Sequence, residues 1–322
     1  MTTKKHILLT GAGFTKNFGA PLARELWNTI AGHPYIKDHD RVRSALLADF
    51  DFESVYHRIM TGDFSADEKT ALARSVKSAY LDLDAIIEPH PGFLNMYGVR
   101  DLIRSFSGQK GAPGFVFTLN QDLFLERHYL EIEKPTLPGI PHGDGWFNGH
   151  FGRPGSLPNN RMLPEVAPPA SELLRHGNLF FVKLHGSTNW YSSKGNGQLM
   201  VIGGGKEQQI DSEPLLARYM EIFRSVLQGG EHKLLVIGYS FADPHINDVL
   251  LQATKTGLEL FILGPGSPET VKERMDKNGC PELWNALGEY FQHDLRTLFP
   301  EDQRTTPEWK RIQRRFFDRH MV

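Results

Sequence analysis

Apolar residues in this chain gather in short unbroken runs: HILLT at 6–10, GFVFT at 114–118, LFFVKLHG at 179–186, KLLVIGYS at 233–240 and LELFILG at 258–264. Continuous rather than alternating runs predict strands covered on both faces, as in a parallel sheet lying between helices. The stretches between them have helical spacing. After the first run, GAGFTKNFGAPLARELWNTI reads as a glycine turn entering a helix, with Leu22, Leu26 and Ile30 spaced four apart and Pro21 near the helix start. Residues 38–108, including VRSALLADFDFESVYHRIM and KTALARSVKSAYLDLDAII, predict a helical insertion or subdomain. PLLARYMEIFRSVLQGG predicts a helix closed by glycines, and DPHINDVLLQAT another, with Asp243 and Pro244 as start signals. Alternating strands and helices give an α/β doubly wound parallel sheet. Residues 132–172, crowded with Pro, Gly and Asn, predict a long irregular loop, a rarity unless functional or disordered. The tail from 281 to 322 is charged and aromatic and predicts terminal helices, with an interface as its expected use.

Composition narrows the class. The chain has 322 residues, 40% of them apolar and 23% charged, which describes a globular protein with room for a large core. Lys and Arg total 36 against 38 acidic residues, a formal net charge of −2, so no global basic field draws nucleic acid and direct binding is not expected. The apolar run near the N-terminus is too short for a signal peptide core, and no stretch approaches the ~18 apolar residues that cross a bilayer. The expected location is cytoplasmic, with no membrane contact. Cys280 is the only cysteine, which excludes an intrachain disulfide and any zinc site built from several thiolates.

In an open parallel sheet a ligand sits beyond the carboxyl ends of the strands, at the point where the strand order reverses. Four of the predicted strands end in polar or glycine residues: Thr10, Gly11, Ala12 and Gly13 on the first, Thr118, Asn120 and Asp122 on the second, His185 and Gly186 on the third, Gly238 and Ser240 on the fourth. A glycine turn opening a helix can offer N–H groups to a phosphate, or can be an ordinary tight turn. The full dinucleotide fingerprint is not met, since Asn17 and Phe18 precede Gly19. Asn120 and Asp122 read either as helix caps, which accounts for one of them, or as part of a convergent polar pocket. Taken alone, His185 reads as a satisfied buried imidazole; beside the other strand ends it reads as a general base acting on a nucleotide. His142, His150, His176 and His185 lack the helical spacing of a metal motif, so no metal is expected. Asp243 and His245 read as pocket residues, or Asp243 as a helix cap. Trp146, Phe147 and Trp190 read as loop packing.

In order along the chain, TGAGFT, TLNQD, KLHG and GYS resemble the motifs of the sirtuin family: a glycine phosphate turn, T-Q-N-x-D, His-Gly and G-T-S. The resemblance spans about residues 7–264 and implies a Rossmann-like NAD-binding domain with a smaller helical module. It implies that Gly11, Ala12 and Gly13, with Thr15 of the same motif, bind the NAD pyrophosphate. It puts Asn120 at the nicotinamide ribose or reacting water, Asp122 near the carboxamide, His185 as the base, and Gly238 and Ser240 beside the adenosine ribose. Leu119 and Tyr239 depart from the family pattern. The zinc-binding cysteines of deacylating sirtuins are missing between His185 and Gly238, so no zinc is expected. GAGFTKNFGAPLARELW, DFESV and GYSFADPHI are similar to sirtuin-like proteins of bacterial anti-phage defence, which implies hydrolysis of NAD+ that depletes the infected cell.

The nicotinamide bond already carries a cationic leaving group, so its cleavage asks for a held ribose, an amide pocket and a placed water. The rivals are a zinc-independent sirtuin-type deacylase and a non-catalytic sensor of NAD or ADP-ribose; a dehydrogenase lacks the fingerprint. The expected layout is a catalytic domain at 1–264 and a helical extension at 265–322. That extension is short for a sensor domain, so control is expected from homo-oligomer assembly or a second chain. The resemblance implies a HerA-type hexameric ATPase first and a short Argonaute second.

Overall fold

Each of the five unbroken apolar runs forms a strand of the same sheet. The computed structural model describes residues 5–87, 89, 91–108, 112–133, 136–140, 161–195 and 197–318. Its strands are β1 (His6–Thr10), β2 (Gly114–Thr118), β3 (Arg161–Met162), β4 (Leu179–Lys183), β5 (Gly186–Tyr191), β6 (Gln198–Met200), β7 (Lys233–Ile237), β8 (Glu259–Leu263) and β9 (Leu287–Phe291). The main sheet runs in the order β4-β2-β1-β7-β8-β9, and every neighbouring pair is parallel. Strands β2, β4 and β7 are buried at every position, as unbroken apolar runs require when helices cover both faces. This is the Rossmann-like α/β architecture. The chain leaves β1 toward β2 and β4 on one side and returns to β7, β8 and β9 on the other, so the order reverses between β1 and β7.

The first helical segment is divided. α1 (Ala12–Lys16) ends before Gly19, whose φ of +102° suits glycine, and α2 (Ala23–Ala31) begins after Pro21 with the Glu25 carboxylate accepting from the Leu22 N–H at 2.7 Å. Leu26 and Ile30 are buried, whereas Leu22 is exposed at the helix start. The expected helical insertion consists of α3 (Asp40–Ala48), α4 (Phe52–Thr61), α5 (Ala66–Ile87) and α6 (Met96–Arg104). Beyond β2 come α7 (Phe124–Glu133), α8 (Ala170–Leu173), α9 (Lys206–Asp211), α10 (Pro214–Leu227), α11 (Pro244–Thr254), α12 (Pro268–Lys277), α13 (Leu295–Leu298) and α14 (Pro307–Arg315). No described helix is long and apolar enough to cross a membrane.

Three expectations need correcting. Within 132–172, residues 141–160 lie outside the described residues, His142, His150, Trp146 and Phe147 among them; the remainder contains β3 and α8 rather than only loop. Beyond His185 the chain turns out of the main sheet and builds a second sheet, β3-β5-β6. The segment after 264 is helical in α12, α13 and α14, as expected, but it also carries a strand. β8 closes the predicted catalytic region, and β9 adds the edge strand beside it. α14 then buries Trp309 and Ile312, and Phe316 and Phe317 follow into the same apolar cluster that holds Ile7 and Leu8. Each buried large apolar side chain contributes roughly 1.5–3 kcal/mol, so this segment is held to the sheet rather than displayed from it. β9 was hard to foresee because LGEYF has a half-buried edge-strand pattern and an interior glycine, which a Cβ would drive to 2.6 Å from Glu259 Oε1.

Candidate active site at the strand ends

The carboxyl ends of β1, β2, β4 and β7 open into one cleft of about 1310 Å³. All nine site residues expected from the sequence lie on its wall: Gly11, Ala12, Gly13, Thr15, Asn120, Asp122, His185, Gly238 and Ser240. The glycines are there for close backbone approach. The Gly11 N–H donates to Ile237 O at 3.0 Å and the Gly13 N–H to Gly238 O at 2.9 Å. A Cβ on Gly11 or Gly13 would come within 2.7 Å of Gly238, and Gly238 itself has φ +71°. The turns after β1 and β7 are thus locked together, with those two N–H groups engaged within the protein.

The residues after β2 divide between capping and pocket. Asp122 accepts from the Phe124 N–H at 3.0 Å and so caps α7, which is the bland role. It is buried; burial raises its carboxyl above the usual range despite Lys183, the Phe124 N–H and Thr15, which pull it down. Asn120 caps nothing. Its Nδ2 donates to Thr15 Oγ1 at 3.2 Å and its N–H to Thr118 Oγ1 at 3.0 Å, an arrangement that holds the amide at the cleft wall. Gln121 donates to Val201 O at 2.7 Å and to His185 O at 3.3 Å, tying the end of β2 to the histidine turn. Behind this wall Lys183 donates to Glu126 Oε1 at 2.6 Å and to Asp122 O, while Arg127 pairs with Asp84 of α5.

His185 occupies the turn between β4 and β5 and is 3% exposed. Gly186 follows because φ is +76° there and a Cβ would meet Leu199 O at 2.5 Å; the His-Gly pair makes the chain's exit from the main sheet. Burial pushes the His185 imidazole down to about 3, with Asp243 opposing, so the ring is neutral near pH 7. Its Nε2 lies 2.9 Å from Nε2 of His245. Trp190 is fully buried, so it is a packing residue.

The loop after β7 brings further polar residues to the cleft. Asp243 precedes α11, yet its side chain caps no helix N–H; Oδ1 accepts from Lys206 Nζ at 2.8 Å. Lys206 also meets Glu53 Oε2 of α4 at 2.8 Å, which brings the helical insertion to the cleft. Burial lowers the Lys206 ammonium and Glu53 and Asp243 outweigh it, so its pKa is raised; burial raises the Asp243 carboxyl and His185 and Lys206 outweigh it, so that one is lowered. Burial lowers His245 too, with Asp243 opposing. Phe241, the residue at the apex, holds a left-handed φ of +58°; Asn247 Nδ2 fixes it by donating to Phe241 O at 2.8 Å, and Tyr239 Oη donates to Asn247. A strained backbone position of this kind costs roughly 1–3 kcal/mol and persists where its surroundings hold it.

His185, Asp243 and His245 present ligand atoms within 4.8 Å of one another, a set able to hold a metal ion, although Lys206 already occupies the carboxylate. Histidine spacing along the chain could not have found it, because the two rings come from residues 60 apart. The only sequence sign of Lys206 is the run Gly203–Gly204–Gly205 before it; Gly203 and Gly204 let this loop lie directly on Glu53 and His57 of α4. The far end of the cleft is formed by the chain after β8, including Arg274, His293 and Arg296. Leu295 N–H and Arg296 Nε both donate to Asn17, at 2.9 Å each, fastening this segment to the glycine turn.

A family model described as a SIR2-like domain matches residues 114–288, more than half of the chain. Among solved structures, the chain is similar to a Sir2 homologue in complex with NAD, at 14% identity over 92% of this chain and 86% of that one, with a TM-score of 0.45. It is also similar to a Sir2 homologue mutant in complex with ADP-ribose, at 14% identity over 100% and 96% of the two chains, with a TM-score of 0.46. No curated protein matches.

Proposed function

Since the chain belongs to the SIR2-like family, we propose that it hydrolyses NAD+ to nicotinamide and ADP-ribose. The observation that carries this reading is the meeting of Asn120, neutral His185 and the glycine turn on the wall of one cleft large enough for a dinucleotide. A buried neutral imidazole can take a proton, and an amide held by Thr15 can orient a hydroxyl or a water. In the reaction the C–N bond between ribose and nicotinamide breaks with its electron pair leaving on nicotinamide. Water bonds to the anomeric carbon, and its proton goes to His185.

Within this reading Asn120 and His185 act on the reacting end. Gly11, Ala12, Gly13 and Thr15 bind the pyrophosphate, Asp122 lies by the carboxamide, and Gly238 and Ser240 lie by the adenosine ribose. Gly11 and Gly13 serve there by permitting close approach, since their N–H groups are already bonded. We place the activity in anti-phage defence in the cytoplasm, where depletion of NAD arrests the infected cell. Such an enzyme needs control. Residues 265–318 supply a sheet edge and part of the cleft wall, and we assign control to self-assembly or to a second chain, a HerA-type hexameric ATPase before a short Argonaute.

The test is nicotinamide release from NAD+ by the full chain, alone and with each candidate partner. Turnover that falls by at least 100-fold in His185→Ala and Asn120→Ala is the expected result, within the range of general acid–base catalysis. Tight NAD binding without turnover under every condition would make the protein a sensor; turnover that requires an acyl-peptide would make it a deacylase.

A further inference from the structure

The cleft contains a second imidazole for which the reaction above has no use. We propose that His245 is a positioning residue that relays the proton His185 removes from water, an inference that rests on the hydrolase reading. Three observations carry it.

The two rings face each other through Nε2 atoms 2.9 Å apart, and both are buried, at 3% and 6% exposure. Of two neutral rings in this geometry, one donates and the other accepts. With Nε2 of His185 engaged, Nδ1 is the nitrogen that remains for a substrate proton. Second, Asp243 stands at the head of α11 without capping it, and its carboxylate is held by Lys206, which Glu53 holds in turn. A carboxylate fixed beside two imidazoles is placed to stabilise an imidazolium. Third, His245 stands on the wall of the same cleft as His185 and Asn120, so the second ring lies where a proton taken from a bound water can be passed on.

The step balances as follows. Water gives its proton to Nδ1 of His185 while its oxygen bonds to the anomeric carbon. The proton on Nε2 of His185 passes to Nε2 of His245, and the proton on Nδ1 of His245 is released to solvent. The groups that set the charge at His245 are Asp243 and Glu207, which favour it, and Lys206 and Arg224, which oppose it, together with the N-terminus of α11.

The decisive variant is His245→Gln, whose amide can still hydrogen-bond to His185 but cannot carry a proton. We expect kcat for nicotinamide release to fall about 10- to 100-fold with KM for NAD+ and ADP-ribose affinity held, and the pH profile to change. Nitrogen NMR of histidine-labelled protein should show His185 with its proton on Nε2, and that proton should respond to His245→Gln. Unchanged kcat and pH profile in His245→Gln, while His185→Ala is inactive, would overturn the relay and leave the hydrolase reading intact. So would a stoichiometric metal in the purified protein that His245→Gln removes. If the wild type never releases nicotinamide, the hydrolase reading fails and the relay with it.

Discussion

Two charged clusters, one behind the wall of the strand-end cleft and one on it, are built from similar groups and put to different use. Under β2 and β4, Lys183 and Glu126 are 0% and 1% exposed and bond to each other, and Lys183 donates also to Asp122 O. Beyond β7, Lys206, Asp243 and Glu53 are 19%, 14% and 29% exposed and line the cleft beside the two histidines. Burial separates their roles. A pair sealed from water cannot exchange protons or ligands, so it fixes the relative positions of strand ends; a pair at the cleft wall keeps part of its solvation and can respond to what binds. Lysine paired with a carboxylate is therefore a poor marker of function until its exposure is known.

The contrast can be broken in three ways. The largest effect should come from Lys183→Met, which leaves Glu126 buried and uncompensated; urea denaturation should show a loss of about 3–5 kcal/mol. The double variant Lys183→Met with Glu126→Leu should recover most of it, and failure to do so would mean that Lys183 has a role beyond pairing. Next comes pH. His185 has a folded pKa of about 3, below the ordinary imidazole value near 6.5, so the unfolded chain binds more protons as pH falls. Its contribution is complete above about pH 6.5 and declines as pH falls toward 3, about 2 kcal/mol being lost between pH 6.5 and 5. Denaturation curves should fall over that window in the wild type and flatten in His185→Gln. Smallest is Lys206→Met: its pairs are partly solvated, so stability should change by about 1 kcal/mol or less, while nicotinamide release falls. A stability loss as large as that of Lys183→Met would erase the distinction between the two clusters.

Five strands of the main sheet were legible because unbroken apolar runs leave few alternatives, and the polar residues at their carboxyl ends pointed to the cleft. The resemblance to sirtuin motifs carried the reading from pocket to reaction. Lys206 and Glu53 were not legible, since their meeting depends on a glycine loop packing against a helix that lies far away in sequence. His245 was legible as a pocket residue, but its contact with His185 is a product of the tertiary fold. Asp243 read as a pocket residue or a helix cap; only the geometry reveals that it lines the cleft and that Lys206 takes its carboxylate. The edge strand β9 escaped because half-buried edge strands carry little periodic signal.

The hold that Leu295 and Arg296 keep on Asn17 has a further meaning. It couples the last part of the chain to the first turn of the sheet, so ligand space and chain integrity share one fastening. A protein cut before β9 would lose an edge of its sheet and one end of its cleft together. Removing the tail therefore cannot distinguish an assembly surface from a structural one, and a surface in this region has to be probed by changing exposed side chains one at a time.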